Sequence, residues 1–93
     1  MPFEAVLWRY PGPGGWTFVN VPPEHAPDWA GPWARTPVRA TVDGRSWDTS
    51  VWRDRAHGTL LPVPKRVRAG KEEGDRVLVS IEPLAVEPVP AGG

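Results

Sequence analysis

The chain reads as a mainly β protein, a small closed β-barrel of about six strands with one or two short helices. Three observations predict this. Thirteen Pro and ten Gly among 93 residues interrupt the chain too often for long helices. Between the interruptions, apolar residues recur with period two, as in Val38, Ala40 and Val42 and again in Val77, Val79 and Ile81. Asp43-Gly44 lies between two such runs, and this pair accepts positive φ at both centres of a two-residue hairpin turn.

The elements follow in order. Phe3, Ala5 and Leu7 share one face of a first strand, and Val6, Trp8 and Tyr10 share the other. Two apolar faces predict a strand covered on both sides, or one whose outer face meets a helix or partner. Residues 11–15, PGPGG, form a loop. A phosphate-binding loop needs a helix N-terminus behind it, whereas Trp16 to Val21 alternates as a strand, so the loop is a hairpin connection. Pro22-Pro23 ends that strand. Ala26, Trp29, Ala30 and Trp33 have helical spacing, but Pro27 and Pro32 limit any helix to a turn or two. This segment is expected to be a lid that packs Trp29 and Trp33 over one barrel opening; the alternative is a Trp-lined ligand mouth.

Thr36 to Trp52 is the clearest hairpin, with Trp47, Thr49 and Val51 on one face of the return strand and Ser46, Asp48, Ser50 and Trp52 on the other. A polar loop from Arg53 to Gly58 leads into Thr59, Leu61 and Val63, which alternate up to Pro64. Pro64 suits a first helical turn, so Lys65 to Ala69 is a short helix, and Gly70 is its expected left-handed stop. Gly74-Asp75 turns the chain into the last strand, which runs through Ile81. Residues 1–84 are expected to form a single barrel domain, and residues 85–93, rich in Pro and Gly, an extended tail frayed at its end.

The formal net charge is zero, so no global field draws the chain to nucleic acid or membrane. There is no Cys, which excludes disulfides and thiolate metal ligands and fits a reducing cytoplasm. No apolar run approaches the ~20 residues of a spanning helix, and no signal-peptide pattern opens the chain. Two His, His25 and His57, do not make a metal site without further ligands. Ser46, Ser50 and Ser80 lack a nucleophile elbow, and Glu72-Glu73 sits in an exposed turn where burial raises no pKa. An enzyme is therefore not supported, and no cofactor is implied.

Two features carry chemistry. Six Trp in so short a chain must build much of the core or line a binding surface. Lys65 and Arg68, three apart, share a face of the short helix, with Arg66 off that face. They read either as an anion clamp, assisted by free helix N–H groups, or as partners of Glu72, Glu73 or Asp75. Arg39 is expected to pair with Asp48 or Asp43 across the hairpin.

The segments "GGWTFVNVPPEHA", "PVRATVDGRSWDTSV" and "GTLLPVPKRVRAGKEEGDRVLVSI" together resemble the domain-of-unknown-function family 1905, from Phe3 to about Glu82. The likeness rests on the spaced set Trp16, Pro22, Val38, Gly44, Thr49, Ser50, Gly58, Leu61, Pro62, Lys65, Arg68, Gly74 and Asp75. It implies a closed β-barrel with short helices and no established activity. It also implies a bacterial origin in which such a domain often precedes a second, helical one. Trp47 stands where that family usually has Phe, Trp52 where Pro is common, and the helix after Pro64 is shortened. A shorter stretch, LPVPKRVRAGKEEGDRVLVSI, is similar to the swapped-hairpin motif of AbrB-type transcription factors, which pairs in a dimer and meets DNA.

The expected function is non-enzymatic binding of a small, anionic or aromatic ligand. Trp16, Trp29 and Trp47 would be the apolar walls, with Lys65 and Arg68 as the clamp. One alternative is an AbrB-like nucleic-acid-binding module using Arg66, Arg68, Lys71 and Arg76. The other is a protein-interaction module in which Trp8, Tyr10 or Trp52 meets a partner, as a monomer or homodimer.

Overall fold

The structure, a computed structural model, describes residues 2–12, 14–26, 35–54 and 56–84. Alternation does the work the sequence implied. In β4 (Arg35–Val42), Val38, Ala40 and Val42 are fully buried while Pro37 and Arg39 are exposed. In β7 (Arg76–Pro83), Val77 and Val79 point inward and Leu78 outward. Asp43 and Gly44 both have positive φ, as a two-residue hairpin turn requires, and join β4 to β5 (Arg45–Asp54).

The remaining strands are β1 (Phe3–Val6), β2 (Trp8–Arg9), β3 (Thr17–Asn20) and β6 (Gly58–Pro62). Among the described residues all seven strands form one antiparallel sheet in the order β1-β7-β4-β5-β6-β3-β2. Its two ends are consecutive in the chain. β1 pairs with β7 and β2 with β3, so the first strand bends at Leu7 and serves both edges. That bend nearly closes the sheet into a barrel. It also accounts for about six staves seen as seven segments. At the bend the Leu7 N–H donates to the Asp75 carbonyl (2.9 Å), and the Leu7 carbonyl accepts from the Gly74 N–H (2.8 Å).

The interior is filled by side chains. Phe3, Leu7, Val19, Val21, Val51, Leu61, Val63 and Val67 join the β4 and β7 residues in one core, and Ala5, Ala26, Trp47 and Ile81 pack against it. Small barrels have little room inside, and here Val predominates.

A single helical turn, α1 (Lys65–Arg68), covers the barrel end next to β6 and buries Val67. Its left-handed stop falls on Ala69, at φ 53°, one residue before the expected Gly70, which also has positive φ. A Cβ in the left-handed region crowds the following carbonyl. Ala69→Gly is therefore expected to stabilise the chain by about 0.5–1 kcal/mol. A thermal melt checks this: Tm should rise by a few degrees, and a fall would contradict it. Pro23–His25 forms a 3₁₀ turn. The expected Trp29/Trp33 lid and the tail at 85–93 lie outside the described residues.

Candidate functional site

The site begins where the β5–β6 ladder stops. β6 exchanges backbone bonds with β3 through its odd residues: the Val63 N–H donates to Thr17, and the Thr59 carbonyl accepts from the Val21 N–H (both 2.9 Å). Leu60 and Pro62 therefore turn their backbone toward β5. Pairing runs from Asp54↔Gly58 to Trp52↔Leu60 and ends. The next rung would set Ser50 opposite Pro62, which has no N–H to donate. The wall parts there, and three shallow depressions lie along the gap, all of them touching Trp16 and Pro62.

The first depression, at the barrel mouth, has a volume of about 480 Å³. β5 contributes Trp47 and Thr49, the start of β3 contributes Trp16 and Thr17, and α1 contributes Lys65, Arg66 and Arg68. Four expected site residues, Trp16, Trp47, Lys65 and Arg68, thus meet at one cleft; the fifth, Trp29, lies outside the described residues. Arg66, the neighbour expected off the Lys65/Arg68 face, also lines the cleft. The free helix N–H groups expected to assist the clamp are limited to the first two of the turn, those of Lys65 and Arg66. α1 is one turn long, and its Val67 and Arg68 N–H groups already donate to the Pro64 carbonyl. With so short a turn, the positive character of the cleft comes chiefly from side chains.

Those side chains are not spent on the carboxylates nearest in sequence. Glu73 accepts from the Arg9 N–H (2.8 Å), and Asp75 accepts from the Glu72 N–H (2.8 Å). Among the described residues no carboxylate pairs with Lys65, Arg66 or Arg68. Arg68 is fixed by donating Nη1 to the Val63 carbonyl (2.8 Å), while its buried Nε has no hydrogen-bond partner among the described residues. Asp48 also borders the cleft, but it is engaged by Arg39 Nε at 2.9 Å, the cross-hairpin pair expected from sequence. This pairing raises the Arg39 pKa, chiefly through the hydrogen bond to Asp48.

Trp16 is placed by its backbone. Its carbonyl accepts from the Tyr10 N–H (2.8 Å), closing the connection between β2 and β3. Gly15, at φ +57°, lets Arg9 cross the connection, because a Cβ there would run into the Arg9 guanidinium. Trp16 remains 63% exposed, its ring 6.4 Å from that of Phe18 and nearly parallel to it.

A larger depression of about 660 Å³ lies on the outer wall, lined by Tyr10, Trp16, Phe18, Trp52, Leu60 and Pro62 together with the charged Arg53 and Asp54. Sequence reasoning named Trp8, Tyr10 and Trp52 as exposed; Tyr10 and Trp52 are, Trp8 is half-buried, and the half-buried Phe18 and buried Leu60 were missed as part of this wall. The signal was present: Trp8/Tyr10 and Trp16/Phe18 are i, i+2 pairs on the face opposite the core residues. Register brings them together, since Trp8 lies directly across from Phe18. Their rings are 5.6 Å apart.

One corner of this wall is polar. Asp54 accepts from the Ala56 N–H (2.8 Å) and the Tyr10 hydroxyl (3.3 Å), and contacts His57 Nδ1 (3.1 Å). The Ala56 N–H, then His57, hold the Asp54 carboxyl below its ordinary pKa. His57 stacks on Trp8 at 5.0 Å, and His25 lies over Phe3 at 4.7 Å. Among the described residues no Ser or Thr hydroxyl bonds either His, and no three potential metal ligands converge.

Residues 3–81 match the family described as Domain of unknown function (DUF1905). The chain belongs to this family. The match spans the DUF1905 barrel from β1 into β7 and takes in both clefts. A search of curated proteins finds no match. Among the described residues of this DUF1905 chain, no helix is long and apolar enough to cross a membrane.

Proposed function

We propose that this DUF1905 domain is a non-enzymatic binding barrel that takes a small organic anion at the mouth, with Trp16 and Trp47 as walls and Lys65, Arg66 and Arg68 as the clamp. One observation carries the reading: three cations meet two indoles at one cleft, with no carboxylate pairing those cations among the described residues. Cations beside an apolar wall suit a ligand with a charged head and a flat body. The filled interior directs such a ligand to the mouth and not into the barrel.

Calorimetric titration with phenyl phosphate, benzoate and phenol tests the reading. Phenyl phosphate should bind and phenol should not. The Lys65→Ala/Arg66→Ala variant should weaken phenyl phosphate about tenfold or more, the usual worth of charge-assisted hydrogen bonds. Equal binding of phenol, or an unaffected variant, would overturn it.

The exposed aromatic wall supports a second reading, a partner-protein or homodimer surface, because Trp and Tyr concentrate at binding hot spots. Sedimentation of the chain before and after Trp52→Ala separates the two. The AbrB-like alternative has less support: β6 lies between β5 and β3, and β7 between β1 and β4, so both strands already have two neighbours.

A further inference from the structure

We infer that the anion is a nucleotide, its base lying in the outer aromatic cleft and its phosphate at Lys65, Arg66 and Arg68. This rests on the anion-binding reading and names its ligand class. The argument is the order of chemistry along the wall. The three depressions overlap in sequence: the aromatic one shares Trp52 with the middle one, and the middle one shares Asp48 and Thr49 with the cationic one. Moving along them, rings predominate first, with Arg53 and Asp54 beside them; hydroxyls and the Asp48 carboxylate follow, and the three cations come last, beside Trp16 and Trp47.

At the aromatic end, Trp52 and Tyr10 are 45% and 37% exposed. A flat heteroaromatic base gains from stacking on such faces whatever its edge pattern. In the middle, Ser50, Thr49 and Asp48 offer hydroxyl and carboxylate groups to a polyol. Pro62 ends the ladder there, so Ser50, which pairs with Pro37 of β4, has no partner in β6. At the far end the cations await an anion. Base, sugar and phosphate run in that same order in a nucleoside phosphate. A neutral sugar would leave the cations unused, and a bare phosphate or short carboxylate would leave the rings unused.

The test uses the full chain and calorimetry with adenosine 5′-monophosphate, adenosine, ribose 5-phosphate and a short single-stranded oligodeoxyadenylate. The monophosphate should bind about tenfold or more tighter than ribose 5-phosphate, the usual gain from stacking one base. Trp52→Ala should abolish most of that excess, and an unchanged circular-dichroism spectrum and melt show that the variant is folded. Trp52→Tyr, which keeps a ring, should restore the excess. If ribose 5-phosphate matches the monophosphate, the nucleotide inference falls and the anion reading stands. If no phosphate compound binds, both fall. Adenosine binding as tightly as the monophosphate overturns the role given to the cations. The oligonucleotide identifies the source. Tighter, salt-weakened binding means a single-stranded polymer. Binding equal to the monophosphate means a free nucleotide, and either result supports the inference.

Discussion

The Leu7→Ala variant is expected to be about 3–5 kcal/mol less stable than the parent chain. Leu7 is fully buried, and it sits where the first strand leaves β7 and joins β3. Truncation there removes apolar contacts and leaves a cavity at the one point that closes the sheet. The backbone around it is tied to the Gly74-Asp75 turn, so the site has little freedom to collapse into the void. A domain of this size has only about 5–15 kcal/mol in total, so the variant should lie close to unfolding. Urea denaturation followed by circular dichroism measures the loss. Val6→Ala, one residue away but exposed, is the control and should change stability little. A Leu7→Ala midpoint as close to the parent as the Val6→Ala midpoint would refute the closure argument.

The second large effect is at Asp43. Its side chain is half-buried and ties three segments: it accepts from the Leu78 N–H (2.8 Å) and from Lys71 Nζ (2.8 Å), and Lys71 also donates to the Arg76 carbonyl (2.7 Å). The β4–β5 turn is thereby clamped to β7. Asp43→Ala removes both acceptors and places an alanine at φ 48°, for an expected loss of about 2–3 kcal/mol. Asp43→Asn keeps an acceptor for the Leu78 N–H and tolerates the left-handed backbone, so it should lose only about 0.5–1 kcal/mol.

The same contacts set a pH dependence. The Leu78 N–H, then Lys71, hold the Asp43 carboxyl below its ordinary pKa. Folding therefore favours the charged form. This stabilisation is complete above the unfolded value near pH 4 and is lost as pH falls through the folded one. Asp54 is shifted the same way and contributes in the same window, so the parent chain alone does not isolate Asp43. The difference between parent and Asp43→Asn does: it should be constant near neutrality and shrink in acid. A difference that grows as the pH drops would refute the assignment.

Much of the fold was legible in the residues because it depends on short-range rules. Val38, Ala40 and Val42 alternate in the sequence and are buried in β4 for the same reason. The Asp43-Gly44 turn followed from the backbone freedom of two adjacent residues, and the Arg39–Asp48 pair from the register that turn imposes. The meeting of Lys65 and Arg68 was readable from their spacing on one turn. Trp16 and Trp47 were readable as candidates by type and number, though their convergence was not.

What the tertiary structure alone decided depends on which distant segments pair. Leu7 looks like any inward residue until β1 and β2 are seen to take opposite edges of the sheet. Phe18 and Leu60 look like core residues until the register sets them on the outer wall beside Trp52. Pro62 reads as an ordinary strand residue until its missing N–H is found to face β5, where it ends the ladder and opens the cleft. The sequence by itself determined the strands, the hairpin turn and the chemical types at the site. Closure and the joining of rings to cations came from contacts between residues dozens of positions apart, whose energies no local pattern encodes.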